Sequence, residues 1–370
     1  MQNSIAAAAE RDLPSGSEMW RAFTARDGAY DGVFFTGVRS TGIFCRPTCP
    51  ARKPLRENVE FFGTAADALF AGYRPCKRCR PLEPRGEAPA WLSGVLERIE
   101  REPARRVRDG DLRDAGLDPA RVRRWFKAHH GMTFQAYQRA RRLGRALGQL
   151  SLGDDIVQTA YRNGFESLSG FNDAIRRLAG ESPGRVRETT VVHLTRIPTP
   201  LGPMLAGATD DALCLLEFAE RRMLETQLRR VRRQLGAVLV PGETEITRRT
   251  AEELERYFAG TLRDFDLPLA TAGTAFQEDV WAELRTIPYG ETRSYGEQAR
   301  RIGRAGAVRA VARANGDNRI AIIIPCHRVI GADGKLTGYG GGLWRKKRLL
   351  ELERGEAQLG LGSLGSAAER

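Results

Sequence analysis

Four cysteines within 35 residues limit the start of this chain more tightly than any apolar pattern does. Cys45, Cys49, Cys76 and Cys79 follow the spacing C-x3-C, then 26 residues, then C-x2-C. Two close pairs on two turns are what a tetrahedral four-thiolate site requires, because each pair supplies adjacent corners. Two disulfides fit the same spacing, so the compartment decides between them. The first residues carry neither a basic start nor a long apolar core, and no run of about 18 apolar residues follows anywhere. No signal peptide and no membrane span are expected. The expected location is cytoplasmic, where cysteines stay reduced. One Zn2+ held by Cys45, Cys49, Cys76 and Cys79 is therefore expected in a module over roughly residues 18–82.

A zinc ion with four thiolates carries a formal charge of about −2. The ligands lie among Arg46, Arg52, Lys53, Arg56, Arg74, Lys77, Arg78 and Arg80. That basic frame lowers the cost of the thiolates and suits phosphate groups, with Arg46 and Arg52 as candidate DNA contacts. The run from Thr41 through Cys45-Arg46-Pro47-Thr48-Cys49-Pro50-Ala51-Arg52, with Leu55-Arg56-Glu57-Asn58-Val59 and Arg74-Pro75-Cys76-Lys77-Arg78-Cys79, closely resembles the N-terminal domain of the bacterial Ada adaptive-response family. The resemblance implies that Cys45 is both a metal ligand and the acceptor of a methyl group from a methylated DNA phosphate. Methylating it would take the centre from −2 to −1, so the modified protein is expected to bind DNA more tightly.

The charge balance points the same way. The 370 residues carry a formal net charge of +13, with a pI near 9.9, and such an excess suits a polyanionic partner. Residues 121–150 hold eight Lys or Arg and no Asp or Glu. Within this second module, about residues 91–187, Asp118-Pro119 reads as a helix cap followed by a first-turn proline, with Gly131 placed to end that helix. Val122, Trp125 and Phe126 make its inward stripe, while Arg121, Arg123, Arg124 and Lys127 project elsewhere. A leading helix is expected near residues 107–115 and a long one over about 134–150. A compact pair follows: Ile156 to Arg162, a turn at Asn163-Gly164-Phe165, and a helix from about Ser169 to Ala179 closed by Gly180. Ala160 and Gly164 are small where two helices cross. The stretches Arg124-Trp125-Phe126-Lys127 and Ala160-Tyr161-Arg162-Asn163-Gly164-Phe165 resemble the DNA-binding domain of AraC-type activators. Two helix-turn-helix units are implied, with Arg124 and Lys127 as candidate DNA contacts.

Residues 191–271 read as a small α/β domain with no sign of chemistry. Strand-like runs lie between residues 191 and 218, helical patterns near 222–234 and 245–258, and Cys214 reads as core. A helix over about 274–286 turns Phe276, Val280, Trp281 and Leu284 inward. Further on, the β-branched run of residues 322–324 predicts a buried strand that Pro325 ends. Cys326 and His327 follow, and from their own surroundings they are equally a buried structural pair or a nucleophile with its base. Thr274-Ala275-Phe276-Gln277, Ile287-Pro288-Tyr289-Gly290-Glu291-Thr292, Arg309-Ala310-Val311, Asn318, Ile324-Pro325-Cys326-His327-Arg328-Val329, Gly338-Tyr339 and Glu353 resemble the O6-alkylguanine-DNA alkyltransferases. That resemblance decides for the nucleophile. It implies a Glu353–His327–water–Cys326 relay and a minor-groove helix from about Ala305 to Ala314 whose Arg309 fills the gap left by a flipped nucleotide. It further implies that Tyr295 rotates the phosphate, Tyr339 shapes the base pocket and Asn318 braces a helix-to-strand hinge.

The expected architecture is multidomain α+β. A zinc-bound domain (18–82) precedes an AraC-type double helix-turn-helix domain (91–187), a small α/β domain of ribonuclease H-like type (191–271) and a helical alkyltransferase domain (272–353). The expected activity is irreversible methyl transfer from O6-methylguanine, and from O4-methylthymine, to Cys326 and from methylphosphotriesters to Cys45. The latter step makes the protein a transcriptional activator. Two alternatives remain at this point: a repair transferase that activates nothing, and a zinc-containing regulator with inert cysteines. Double-stranded DNA and RNA polymerase are the expected partners of a monomeric protein. Residues 1–17 and 354–370 receive no role.

Overall fold

A computed structural model of the chain describes residues 13–82, 88–130, 132–180, 182–184, 189–221, 223–357 and 359, which fall into two compact units divided after residue 85. In the first unit Ser15 starts helix α1 (Gly16–Ala25) by accepting from the Glu18 N–H, and Arg26 ends it in the left-handed conformation. Strands β1 (Phe35–Val38), β2 (Ile43–Cys45) and β3 (Val59–Phe62) follow. Helix α2 (Ala65–Phe70) then leads to the short β4 (Arg74–Pro75). The sheet order is β3-β1-β2-β4, antiparallel except for the β2–β4 pair. That parallel pair sets Phe44 beside Pro75, and the Cys76 N–H donates to the Phe44 carbonyl at 3.0 Å. Register alone thus brings Cys45 and Cys76 to one end of the sheet.

The second unit opens with helices α3 (Ala90–Arg101), α4 (Asp109–Asp114), α5 (Pro119–His130), α6 (Phe134–Ser151), α7 (Ile156–Arg162) and α8 (Leu168–Ala179). The Asp118 carboxylate accepts from the Ala120 and Arg121 N–H groups at 2.9 and 3.2 Å, the cap that the sequence predicts. Val122 and Phe126 are fully buried with Leu92, Leu112 and Phe134. Leu147, Leu150, Ala160, Phe171 and Ile175 form a second core. Gly164 sits at φ +70°, where an added Cβ would lie 2.0 Å from the Ala104 carbonyl oxygen; only glycine fits. Helix α4 begins two residues later than expected, and Gly131 lies outside the described residues.

Next come β5 (Val191–Ile197), β6 (Met204–Ala208), β7 (Leu213–Phe218), α9 (Leu224–Gln234), β8 (Val238–Pro241) and α10 (Glu245–Phe258). The order is β7-β6-β5-β8, antiparallel except for β5–β8. Strand β8 was not foreseen: four residues ending in proline give too little alternation to read. Its Val238 and Val240 are buried in the same core as Leu147 and Phe171 of the helical region.

The last part holds α11 (Ala275–Leu284), β9 (Arg293–Ser294), α12 (Tyr295–Arg301), α13 (Val308–Gly316), a single 3-10 turn (Cys326–Arg328), β10 (Val329–Ile330) and α14 (Leu343–Glu353). Two expectations are corrected here. The helix expected from about Ala305 to Ala314 runs from Val308 to Gly316. Residues 321–324 form a turn, not a strand. The Ile323 N–H turns back to the Ala321 carbonyl and the Ile324 N–H to that of Ile320, both at 3.0 Å, while the Ala321 N–H reaches the Leu216 carbonyl at 2.7 Å in a single isolated bridge. Burial of Ile320, Ala321, Ile322 and Ile324 accounts for the apolar run without a ladder. Ile322 takes φ +73°, a strained conformation for a β-branched residue and a mark of functional backbone.

Candidate functional site

Two clusters hold the residues singled out from sequence, one in each unit. In the first unit the sulfur atoms of Cys45, Cys49, Cys76 and Cys79 all lie within 4.8 Å of one another, and the Cys49 and Cys76 Sγ atoms are 3.9 Å apart. Zinc–sulfur bonds of about 2.3 Å at tetrahedral angles place sulfurs about 3.8 Å apart. The cluster fits the ion. Four crowded, unbridged thiols with little apolar core around them have that one physical explanation, and the chain binds zinc through these cysteines. The Arg46 N–H points at the Cys79 Sγ at 3.4 Å, a backbone dipole that favours thiolate charge.

The basic residues around the cluster divide into two groups. Arg46 is only 5% exposed. Its Nη1 pairs with Asp31 at 3.2 Å and its Nη2 donates to the Pro81 carbonyl at 3.2 Å. It therefore braces the centre from within rather than meeting a phosphate at the surface. Arg52 is exposed and borders a cleft of about 1060 Å³ that also meets Cys45, Lys53, Arg74, Lys77 and Arg78. Lys53 sits 3.6 Å above the Phe23 ring.

In the second unit the 3-10 turn after Pro325 buries Cys326 and His327 side by side in sequence. Asn318, at the end of α13, donates from Nδ2 to the Cys326 Sγ at 3.2 Å and to the Ile324 carbonyl at 2.8 Å, while its Oδ1 accepts from the Ile320 N–H at 3.0 Å. Burial pushes the Cys326 thiol above its ordinary range, and the Asn318 contact pulls it back in part. His327 is fully buried. Its Nε2 meets Glu353 Oε1 at 2.8 Å, and its Nδ1 has no protein hydrogen-bond partner among the described residues. Burial holds the imidazole below its usual pKa, although Glu353 opposes that. The ring is neutral. With Nε2–H committed to the carboxylate, Nδ1 is the basic nitrogen.

Glu353 is the hub. Oε1 also accepts from Tyr257 Oη at 2.7 Å and Arg328 Nη2 at 3.0 Å; Oε2 accepts from Arg328 Nε at 2.9 Å and the Gly290 N–H at 3.2 Å. Burial would raise its pKa, but His327 and Arg328 outweigh burial and hold it well below the usual carboxylate range. Tyr257 and Arg328 were not foreseen as site residues. A tyrosine at an inward helix position, whose hydroxyl must find a partner, was the available signal. Residues 191–271, read as free of chemistry, thus supply part of the support.

The remaining predicted residues sit around this core. Tyr295 Oη lies 3.1 Å from the Thr337 carbonyl and 3.2 Å from that of Gly338, so it holds the 338–342 loop. Tyr339 of that loop stands 6.4 Å from the His327 ring, nearly perpendicular to it, with its hydroxyl buried and unpartnered among the described residues. Arg309 is exposed on α13, as are Arg124 and Lys127 on α5. The Arg124–Asp118 ion pair is long, at 3.7 Å, and mostly exposed, so it costs little to break.

The Bifunctional transcriptional activator/DNA repair enzyme Ada of Escherichia coli K12 is 36% identical over 345 residues, spanning 91% of this chain and 96% of its own length. This chain belongs to the Ada family. Family models match in the same order as the clusters above. They are the metal binding domain of Ada over residues 18–82, a helix-turn-helix domain over 112–189, and the DNA binding domain of 6-O-methylguanine DNA methyltransferase over 275–355. A methylated-DNA–protein-cysteine methyltransferase of Mycobacterium tuberculosis H37Rv is 50% identical over 167 residues, 45% of this chain and 95% of its own length. The crystal structure of Mycobacterium tuberculosis OGT in complex with DNA is 48% identical, covering 45% of this chain and 95% of its own, with a TM-score of 0.40.

Proposed function

We propose that this Ada-family chain repairs alkylated DNA by moving methyl groups irreversibly onto two of its own cysteines, one in each unit, and that the transfer to Cys45 turns it into a transcriptional activator. The buried Cys326 thiol, bonded by Asn318 and followed by a neutral His327 locked onto Glu353, carries the reading. Such a triad has no use in an inert core, where a charged carboxylate and an unpaired imidazole nitrogen only cost stability.

At Cys326 the substrate is O6-methylguanine, and O4-methylthymine by the same chemistry, flipped out of the duplex. The thiol proton passes through a water to His327 Nδ1, and Glu353 stabilises the imidazolium that forms. Sγ then bonds to the methyl carbon as the carbon–oxygen bond breaks. The electron pair leaves with the base, which takes back a proton, and a thioether remains on Cys326. Water does not cleave that bond, so each cysteine acts once. Tyr339 lines the base, Tyr295 holds its loop and Arg309 enters the emptied stack.

At the other centre Cys45, Cys49, Cys76 and Cys79 hold the zinc ion, which when bound keeps the thiols deprotonated at neutral pH. Cys45 Sγ takes the methyl carbon of a phosphotriester, and the phosphate leaves as an ordinary diester anion. Arg52 and Lys53 border the cleft where that phosphate would sit, and Arg46 fixes the turn from behind. The four-sulfur centre loses one negative charge, which reduces its repulsion from DNA. Arg124 and Lys127 then serve promoter binding through the helix-turn-helix region, with RNA polymerase as the further partner of a monomeric, cytoplasmic protein.

The domain limits follow as 18–82, 91–187, 191–271 and 272–353. The test uses Cys45→Ala and Cys326→Ala in the full chain, incubated with DNA bearing labelled methyl groups on bases or on phosphates. Each variant should lose one transfer and keep the other. Loss of both in a folded single variant would end the two-acceptor reading.

A further inference from the structure

A layer behind Cys326 has a function of its own, which rests on reading that cysteine as a methyl acceptor. Arg221 follows β7, and its guanidinium lies flat against the 338–342 loop. A Cβ added to Gly340 would come within 2.6 to 2.9 Å of three of its atoms. The same group donates from Nη1 to the Asn318 carbonyl at 3.1 Å and from Nη2 to the Gly316 carbonyl at 2.5 Å. These carbonyls stand at the C-terminal end of α13, where helix carbonyls lack intrahelical partners. Nη1 also pairs with Glu217 Oε1 on β7. The neighbouring Phe218 packs beneath Gly341, whose added Cβ would lie 2.7 Å from both Phe218 and Tyr339.

One forked cation therefore joins two parts of the pocket, the Asn318 hinge that holds the thiol and the loop that carries Tyr339. Glu217 anchors it at a cost. The carboxylate is 1% exposed, and its Oε2 has no hydrogen-bond partner among the described residues. A buried, half-satisfied carboxylate is poor design for stability alone. We propose that Glu217 and Arg221 form a positioning pair that fixes Asn318 and the 338–342 loop around Cys326, setting the rate of methyl transfer without touching substrate.

The charged and titratable groups acting on Cys326 are Glu217 and Arg221, His327 backed by Glu353, Lys346 of α14, Tyr295 and Tyr339. A carboxylate near a thiol raises its pKa and a guanidinium lowers it, which gives the test a sign. The experiment follows single-turnover methyl transfer from O6-methylguanine DNA to Cys326 in the full chain, as wild type, R221K, R221M and E217Q, against DNA concentration and pH. Lysine carries all its donors on one nitrogen, whereas the Asn318 and Gly316 carbonyls are held by two separate nitrogens of a planar fork that also pairs with Glu217. R221K should therefore lower the transfer rate constant about tenfold or more, the usual cost of removing an orienting partner, with half-saturating DNA unchanged within about twofold. E217Q should move the alkaline limb of the rate profile to lower pH and R221M to higher pH. A merely structural role would reduce the reactive fraction and leave rate constant and profile in place. That result, or rates within about twofold of wild type for both R221K and E217Q, overturns the pair. Should R221K fail to fold, E217Q is judged by the same criteria. A wild-type chain that leaves Cys326 unlabelled removes the acceptor reading and the pair with it; a labelled wild type with unaltered variants removes only the pair.

Discussion

Replacing Glu353 by glutamine exchanges one oxygen for an NH2 group, and it should nearly silence Cys326. The carboxylate takes hydrogen bonds from Tyr257, His327, Gly290 and twice from Arg328. Every one of these groups is a donor. With the amide nitrogen in place of Oε1, it faces Tyr257, His327 and Arg328 Nη2. With the nitrogen in place of Oε2, it faces Arg328 Nε and the Gly290 N–H. Either way the buried guanidinium loses its counter-ion, a change that costs about 3–5 kcal/mol when one partner of a buried pair is removed. The base suffers as well. An amide N–H donating to Nε2 forces the proton to Nδ1, the atom that must accept it from the thiol. Loss of a general base typically costs on the order of 10²–10⁴ in rate. Glu353→Gln should therefore lower the single-turnover rate of transfer from O6-methylguanine DNA by about 10² or more. Transfer to Cys45 should persist, and the denaturant midpoint of the second unit should fall. A variant within about threefold of the wild-type rate, with an unchanged midpoint, refutes the relay.

Four further outcomes follow. Burial keeps the His327 imidazole below its ordinary 6.5, so transfer to Cys326 should hold steady as pH falls from 7.5 to 6.5 and decline only below that; a rate already halved at about pH 6.5 contradicts a depressed pKa. Because the unfolded chain then binds that proton first, stability also falls with pH below about 6.5, as a urea midpoint series will record. Chelation of zinc should expose residues 13–82 to trypsin and abolish phosphotriester repair while sparing Cys326; structural zinc supplies about 10–16 kcal/mol in small domains, far more than their cores do. Gly164→Ala meets a positive φ and the Ala104 carbonyl, and it should cost about 2–4 kcal/mol and weaken specific DNA binding, read by melting and gel shift.

Much of this architecture is legible in the sequence where local chemistry decides it. The expected helix over residues 245–258 coincides with α10 (Glu245–Phe258), because Thr244 caps it and its apolar stripe is regular. The Asp118 cap, the long α6 and the left-handed Gly180 are set the same way. Four cysteines in two close pairs suit the metal, and the expectation of a reducing compartment decides it against two disulfides. The failures are non-local. Residues 322–324 look like a strand because burial and strand pairing leave the same apolar signature; here one isolated bridge at Leu216 stands in place of a ladder, and the Ile323 and Ile324 N–H groups turn back to the Ala321 and Ile320 carbonyls. Arg46 looks like a surface cation because its partner Asp31 lies 15 residues away. Tyr257, Glu217 and Arg221 carry no motif; their roles exist only once residues about a hundred positions apart are packed together.

The central claim is that Cys45 and Cys326 are both methyl acceptors with different substrates. Peptide mass mapping after reaction of the full chain with methylated DNA tests it most directly. DNA carrying O6-methylguanine should add one methyl group, about 14 Da, to the Cys326 peptide alone, and DNA carrying methylphosphotriesters should add one to the Cys45 peptide alone. Methyl groups on Cys49, Cys76, Cys79 or Cys214 instead, or on no cysteine at all, would contradict the account.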